Sequence, residues 1–178
     1  MNVENISRKA DVTRKRLIEA ARDLLADEGY VAFSENKICE QAGVTRGALR
    51  YHFPAGRYDL TKELLLYFYK QLPAFSSPNI KDRILELVVF MQENPKKNPL
   101  SLIMEIWQAT FADKQLRDTV KDVLDKSIQV YFNVENLKDI PADVIPYRFM
   151  FWGAVLSLQH NSSDNTDLQC LIDFLNSH

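Results

Sequence analysis

The pattern of this chain predicts an all-α fold of about nine helices, a three-helix head followed by a helical body. Apolar residues recur at three- and four-residue spacing along most of its length, and no segment alternates at period two as a half-buried strand would. Breakers stand where the periodic stretches stop, as at Gly29, Pro54 and Pro73.

The first helix is expected from about Asp11 to Glu28, with Leu17, Ala20, Ala21, Leu24 and Leu25 as its buried stripe and Gly29 ending it. Two short helices follow within residues 34–53, joined by a tight turn at Ala42-Gly43-Val44. Ser34 and Thr45 can cap them, because each hydroxyl can accept a bond from an unpaired N–H one turn in. A fourth helix is expected from near Tyr58 to Leu72, burying Leu60, Leu64, Leu65 and Phe68 and stopped by Pro73. A fifth spans Ile80–Glu93 with a stripe of Ile84, Leu87, Val88 and Met91, before a loop over residues 94–99. The sixth is expected over Pro99–Ala112 and the seventh over Asp113–Val134. After a broken connection at 137–146, Asp143 is expected to cap an eighth helix running to about Gln159, and Asp167 a ninth running to Asn176. The expected domains are 1–57, the head, and 58–178, the body.

Residues 34–53 carry the most information. Cys39 is small enough to let the next helix cross close, Gly43 suits a left-handed turn, and Ile38, Val44 and Leu49 supply apolar contacts between the pair. This is a helix-turn-helix, whose second helix is built to lie in a DNA major groove. An ordinary helical hairpin is the competing reading. Arg46, Gly47 and Arg50 open the second helix where stronger helix formers would serve stability better. Gly47 costs about 1 kcal/mol against Ala in a helix interior and permits close approach to another surface.

From about Thr13 to Leu65 the chain resembles the TetR (tetracycline repressor) family of bacterial transcription regulators. The matching residues are Ile18-Glu19-Ala20-Ala21, Leu24-Leu25, Gly29-Tyr30, Ser34, Ile38, Ala42-Gly43-Val44-Thr45, Gly47-Ala48-Leu49 and Tyr51-His52-Phe53. The resemblance implies that Ser34 and Thr45 meet phosphate, that Asn36, Arg46 and Gly47 face base edges, and that Tyr51 and His52 approach the backbone of the duplex. Lys37 joins that DNA-facing set, and Arg57 stands for the family's Lys after the Phe-Pro turn. Arg50 replaces the usual Tyr and Cys39 the usual Ala, so Arg50 is expected to offer phosphate a charged fork in place of a hydroxyl.

Composition bounds the alternatives. The chain has 46% hydrophobic and 26% charged residues, ordinary for a globular protein. No apolar run reaches membrane-spanning length, the start Met1–Ala10 lacks an apolar signal core, and the two cysteines, Cys39 and Cys170, make no disulfide framework. A cytoplasmic location is expected. Net charge is −2, yet residues 1–70 hold 12 Lys/Arg against 10 Asp/Glu while 71–178 hold 10 against 14. The run Arg8, Lys9, Arg14, Lys15 and Arg16 reads as a solvated helix start or as an arm reaching phosphates; beside a helix-turn-helix the arm explains it better.

The body holds most of the aromatic residues. Its sixth helix is apolar over more than half its circumference (Leu102, Ile103, Met104, Ile106, Trp107, Phe111), which marks a central helix. These side chains suit plain core. The sharper reading is a small-molecule pocket walled by some of Phe75, Met104, Trp107, Phe111, Tyr131, Phe149 and Trp152, and the resemblance implies an effector there. Tyr131, Thr110 and Gln108 are candidate polar contacts, whereas Glu105, opposite the apolar face, is expected to be solvated. The last two helices read as a dimer interface through Gly153, Ala154, Ser157, Cys170 and Phe174, because a terminal helix with two apolar faces needs two partners.

No enzyme chemistry assembles. His52, His160 and His178 have no metal-ligand spacing with the cysteines, and no phosphate-cradling glycine loop exists. A metal at His160, Asp164 and Asp167 and a redox role for Cys39 are weaker readings than a polar connector and a packing residue. No metal and no cofactor are expected. The function expected is a homodimeric transcription regulator that binds a palindromic operator in double-stranded DNA and is released by a small-molecule effector. The alternatives are a ligand-independent or activating regulator of the same fold and, more remotely, a helical enzyme or a non-DNA adaptor.

Overall fold

Leu17, Ala20, Ala21, Leu24 and Leu25 are all buried, so the apolar stripe of the first helix does seat it in a core. The computed structural model describes residues 3–94, 98–160 and 166–177, and all regular structure among them is helical. Helix α1 spans Val3–Ala32, starting earlier than the periodicity suggested, so Arg8 and Lys9 lie on the helix rather than on an extended arm. Gly29 breaks it with φ 77° and ψ 174°, a conformation that side-chain-bearing residues rarely adopt. The chain then makes one more turn through Tyr30.

Helices α2 (Glu35–Ala42) and α3 (Arg46–His52) follow. Ser34 caps α2, its hydroxyl accepting from the Lys37 N–H at 3.4 Å, and Thr45 caps α3, accepting from the Ala48 N–H at 3.2 Å. Gly43 is left-handed, φ 62°, and its N–H and that of Val44 return to the carbonyls of Glu40 and Cys39. Ile38, Cys39, Ala42 and Leu49 are buried between these elements and α1.

Helix α4 (Arg57–Tyr69) ends three residues short of the expected Leu72, in a turn closed by Gln71 and Leu72 N–H groups. Helices α5 (Ile80–Glu93) and α6 (Pro99–Ala112) have the expected bounds. Helix α7 (Lys114–Phe132) is capped by Asp113, whose carboxylate accepts from the Leu116 N–H at 3.0 Å. A single 3-10 turn at Leu137–Asp139 precedes α8 (Ile145–His160) and α9 (Thr166–Ser177). The two late caps fall elsewhere than expected: Asp143 stands in the turn before α8, and Asp167 lies inside the first turn of α9. Residues 95–97 of the expected loop and Asp164 of the polar connector lie outside the described residues.

Contacts divide the chain into two units. The first is residues 1–67 with 105–121, the second 68–104 with 122–178. In the first, α1 packs on α2 and α3. In the second, α5 packs on α8 and α9 and buries Ile84, Leu87, Val88, Met91, Leu168, Ile172 and Leu175. No helix among the described residues is long and apolar enough to cross a membrane.

Candidate nucleic-acid interface

The capped pair α2–α3 decides which side chains face outward. Packing fixes Ile38, Leu49 and Phe53 inward, so the helical period turns Asn36, Lys37, Arg46, Gly47, Arg50 and Tyr51 to the surface. Arg46 is 64% exposed and Tyr51 76% exposed, with the Tyr51 ring edge-on to His52 at 5.0 Å. A Cβ built on Gly47 meets only the Thr45 hydroxyl, at an ordinary 3.7 Å. Nothing in the first unit therefore requires a glycine there, and the gap lies on the open face of α3.

Several cations of this face are engaged inside the protein. Lys37 Nζ pairs with the Glu28 carboxylate at 2.5 Å. The Arg50 guanidinium, expected to offer its fork outward, donates instead to both oxygens of Glu35, at 2.6 and 3.2 Å, and to the Pro54 carbonyl at 3.0 Å. Arg46 Nη2 reaches the same Glu35 at 3.4 Å. Arg57 turns inward: it pairs with Asp113 at 3.0 Å, donates to the Phe33 carbonyl and the Tyr58 hydroxyl, and lies over the Tyr30 and Tyr58 rings. Its hydrogen bond to Tyr58, then its charged and aromatic neighbours, hold its pKa up against the opposing effect of burial. Ser34 and Thr45 spend their hydroxyls on capping while remaining on the outer surface of the head.

Three acidic residues central to this geometry, Glu35, Glu105 and Asp113, were not singled out by pattern for these roles. Glu105 corrects the expectation of a solvated carboxylate. It is half-buried and accepts the Tyr30 N–H at 2.5 Å. Loss of water pushes its pKa up, partly countered by that bond. The reason is Gly29: its ψ of 174° swings the Tyr30 amide out of the helical path, leaving a donor that a carboxylate on α6 takes up. Cys39 is buried, and burial raises its thiol pKa, as suits a packing residue.

The expected pocket residues are spread between the units. Trp107 and Phe111 belong to the first, packed edge-to-face at 4.7 Å, with Phe111 67% exposed rather than walled in. Phe111 occupies the last turn of α6, where the chain leaves the buried stripe of Leu102, Ile103, Met104 and Ile106. Phe75, Met104, Tyr131, Phe149 and Trp152 belong to the second. There Tyr131 meets Phe75 edge-on at 5.7 Å and Tyr69 at 6.0 Å, while its buried hydroxyl has no hydrogen-bond partner among the described residues. Burial raises the pKa of Tyr131 and takes that of Tyr69 to about 12. Thr110 is buried and bonds the Trp107 carbonyl, and Gln108 is exposed. A cleft of about 290 Å³ lies elsewhere, on α1 and α4, lined by Asp11, Arg14, Lys15, Ile18, Glu19, Arg22 and Tyr67.

On α8, Phe149, Gly153 and Leu156 share one exposed face, and on α9 so do Cys170 and Phe174. A Cβ on Gly153 would meet nothing within 4 Å. Ala154 points the other way, into the core, and the Ser157 hydroxyl reaches Asp167 at 3.4 Å. Among the described residues no group of His, Cys, Asp and Glu could hold a metal ion.

Residues 17–64 match the family model of bacterial regulatory proteins, tetR family. The chain is 35% identical over 51 residues to the HTH-type transcriptional regulator LmrA of Bacillus subtilis, covering 29% of this chain and 27% of that protein. It is 25% identical over 123 residues to an uncharacterized HTH-type transcriptional regulator of Mycobacterium bovis, covering 65% of this chain and 62% of the relative. The chain thus spans less than two thirds of either relative. The multidrug binding protein EbrR, solved with imidazole, superimposes with a TM-score of 0.59 at 20% identity, covering 91% of this chain and 88% of that one. Salmonella enterica GusR gives a TM-score of 0.59 at 20% identity, covering 93% and 94%. These two likenesses show the fold.

Proposed function

From a head that is a tetR-family helix-turn-helix domain, we infer that the chain is a homodimeric transcription regulator. It binds a palindromic operator and is released by a small-molecule effector. The observation that carries this reading is the outer face of α3: Arg46 exposed at its start, Gly47 unrequired by internal packing, and Tyr51 exposed one turn on. That combination lets a helix approach base edges closely with a cation ready to meet them. The exposed apolar face of α8 and α9 supports the dimer, since a second copy offering the same face would cover it.

Release by an effector follows from two-state logic. A dimer must hold its recognition helices about 34–36 Å apart, or a further helical turn, to fill both half-sites. A ligand favouring any other spacing opposes DNA by the same coupling free energy with which DNA opposes it. The buried Tyr131 hydroxyl amid Phe75 and Tyr69, without a hydrogen-bond partner among the described residues, is a polar contact suited to orient such a ligand.

The test is a salt-dependent shift assay on DNA from upstream of the chain's own gene, with Arg46→Ala beside wild type. The variant is expected to lose about 1–3 kcal/mol of specific binding, the scale of one base contact. Its melting temperature should hold, because Arg46 makes a single 3.4 Å contact in this structure. Equal operator affinity in the two proteins would sink the assignment of Arg46.

A further inference from the structure

Glu35 is an unexpected residue for a face that approaches DNA. It stands at the first position of α2, its side chain only 12% exposed, between the two arginines of α3. One carboxylate oxygen accepts from Arg50 Nη2 at 2.6 Å and from the Arg57 backbone N–H at 3.3 Å; the other accepts from Arg50 Nε at 3.2 Å and Arg46 Nη2 at 3.4 Å. The third Arg50 nitrogen, Nη1, is committed to the Pro54 carbonyl. Buried Gly56 closes the site: a Cβ there would overlap the Glu35 carboxylate and crowd the Arg50 guanidinium. A carboxylate receiving a planar fork and a backbone N–H occupies the place a phosphate would take.

The two arginines are not held alike. Arg50 makes three bonds, and pulling it away would strand the nearly buried Glu35 charge. Arg46 makes one long bond and is 64% exposed, so it can swing outward at little cost. Once Arg46 reaches out, Glu35 remains close to it. A fixed negative charge repels the full charge of a phosphate more strongly than the partial charges of a neutral base edge such as the O6/N7 pair of guanine.

We propose that Glu35 is a specificity-determining counter-charge: it retains Arg50 as a brace of the α3–α4 turn and biases Arg46 toward base edges and away from phosphate. This rests on the reading of the head as a DNA binder. It predicts that the chain gives up sequence-independent affinity, which phosphate contacts supply, in exchange for discrimination.

The probe is a labelled mixed-sequence DNA duplex, titrated at several salt concentrations with wild type, Glu35→Gln and Arg50→Gln. Glu35→Gln keeps the shape and an acceptor oxygen but removes the charge. Its affinity for mixed-sequence DNA should rise, with a log–log salt slope steeper by about 0.9 for each phosphate gained. Unchanged or weaker mixed-sequence binding at an unchanged slope would overturn the proposal. Arg50→Gln, with its fold verified by circular dichroism because it leaves the Glu35 charge without its closest partner, gives an independent reading. Its slope should match wild type, because Arg50 already has its anion inside the protein, whereas a slope flatter by about one unit would make Arg50 a phosphate ligand and overturn the proposal. If wild type binds neither this duplex at low salt nor its own upstream DNA, the DNA-binding reading itself fails.

Discussion

Replacing Glu105 isolates one hydrogen bond whose worth can be worked out from its setting. Gly29 leaves the helical path, so the Tyr30 N–H loses its place in the α1 ladder and donates to Glu105 Oε1 at 2.5 Å. In Glu105→Ala that half-buried donor loses its acceptor. Bonds to charged groups contribute about 1.5–3 kcal/mol, and a site partly open to water sits at the lower end, so a loss of about 1–2 kcal/mol is expected. A competing effect reduces it. Burial raises the Glu105 pKa, so holding the carboxylate ionised already costs the native state something that Ala does not. Glu105→Gln separates the two, keeping an acceptor oxygen without the charge. At neutral pH the order of stability should be Gln equal to or above wild type, and wild type above Ala. The sign with pH follows from the raised pKa: the folded state prefers the protonated acid. Glu105 therefore contributes stability below its ordinary carboxylate value, and that contribution is lost as pH rises through the raised one. Urea midpoints of the three proteins, followed from the ordinary carboxylate range upward to neutral pH, test this. If Ala matched wild type throughout, or Gln lost as much as Ala, the bond to Tyr30 would not be what Glu105 supplies.

Two further outcomes bear on assembly and the effector. Phe174→Glu places a charge on the exposed apolar face of α9 and should split the proposed dimer, an unpaired charge in such an interface costing about 3–5 kcal/mol; light scattering that still reports a dimer would remove α8 and α9 from the proposed interface. In a Trp152→Phe background, an aromatic effector that releases DNA should perturb Trp107 fluorescence over the same concentration range, and a Trp107→Ala protein that still responds at unchanged concentration would leave Trp107 as packing alone.

The helices were legible because each carries its own evidence. The stripes of α1, α4 and α5 bury the residues their spacing named, and Ser34 and Thr45 cap α2 and α3 through local bonds three residues long. Such signals depend only on neighbours in the chain. What pattern could not supply was pairing across distance. Glu105 and Tyr30 are 75 residues apart and Arg57 and Asp113 are 56 apart. A carboxylate opposite an apolar stripe looks solvated until the element opposite it is known. The sequence did hold one usable signal, since a glycine inside an otherwise helical run displaces a backbone donor that some acceptor must satisfy. Phe111 misled for the converse reason: its spacing matched the stripe of α6, but it falls in the last turn, where the surface begins.

The same pairings change what the charge of the head means. Residues 1–70 hold 12 Lys/Arg, yet Arg14, Arg22, Lys37, Arg50 and Arg57 each sit within 3.0 Å of a carboxylate, at Glu63, Asp23, Glu28, Glu35 and Asp113. A cation already neutralised adds little to a field that would draw in DNA, so a count of basic residues overstates the electrostatic pull. How readily each can be recruited by phosphate depends on the anion left behind. Lys37 leaves Glu28, which is half-exposed and easily rehydrated, so this pair should open at small cost. Arg50 would leave Glu35 and Arg57 would leave Asp113, carboxylates 12% and 21% exposed that water reaches poorly. Recruitment should thus begin with exposed Arg8, Lys9, Arg16 and Arg46, then Lys37, with Arg50 and Arg57 last. Arg16 has a particular place in that order: its guanidinium lies against Gly43, where a Cβ would come within 2.8 Å of it, which brings a cation of α1 to the turn between α2 and α3. Under the proposed DNA-binding reading, the salt dependence of binding then measures the small exposed set and not the full complement of basic residues, while the Arg50–Glu35 pair ties α3 to α2.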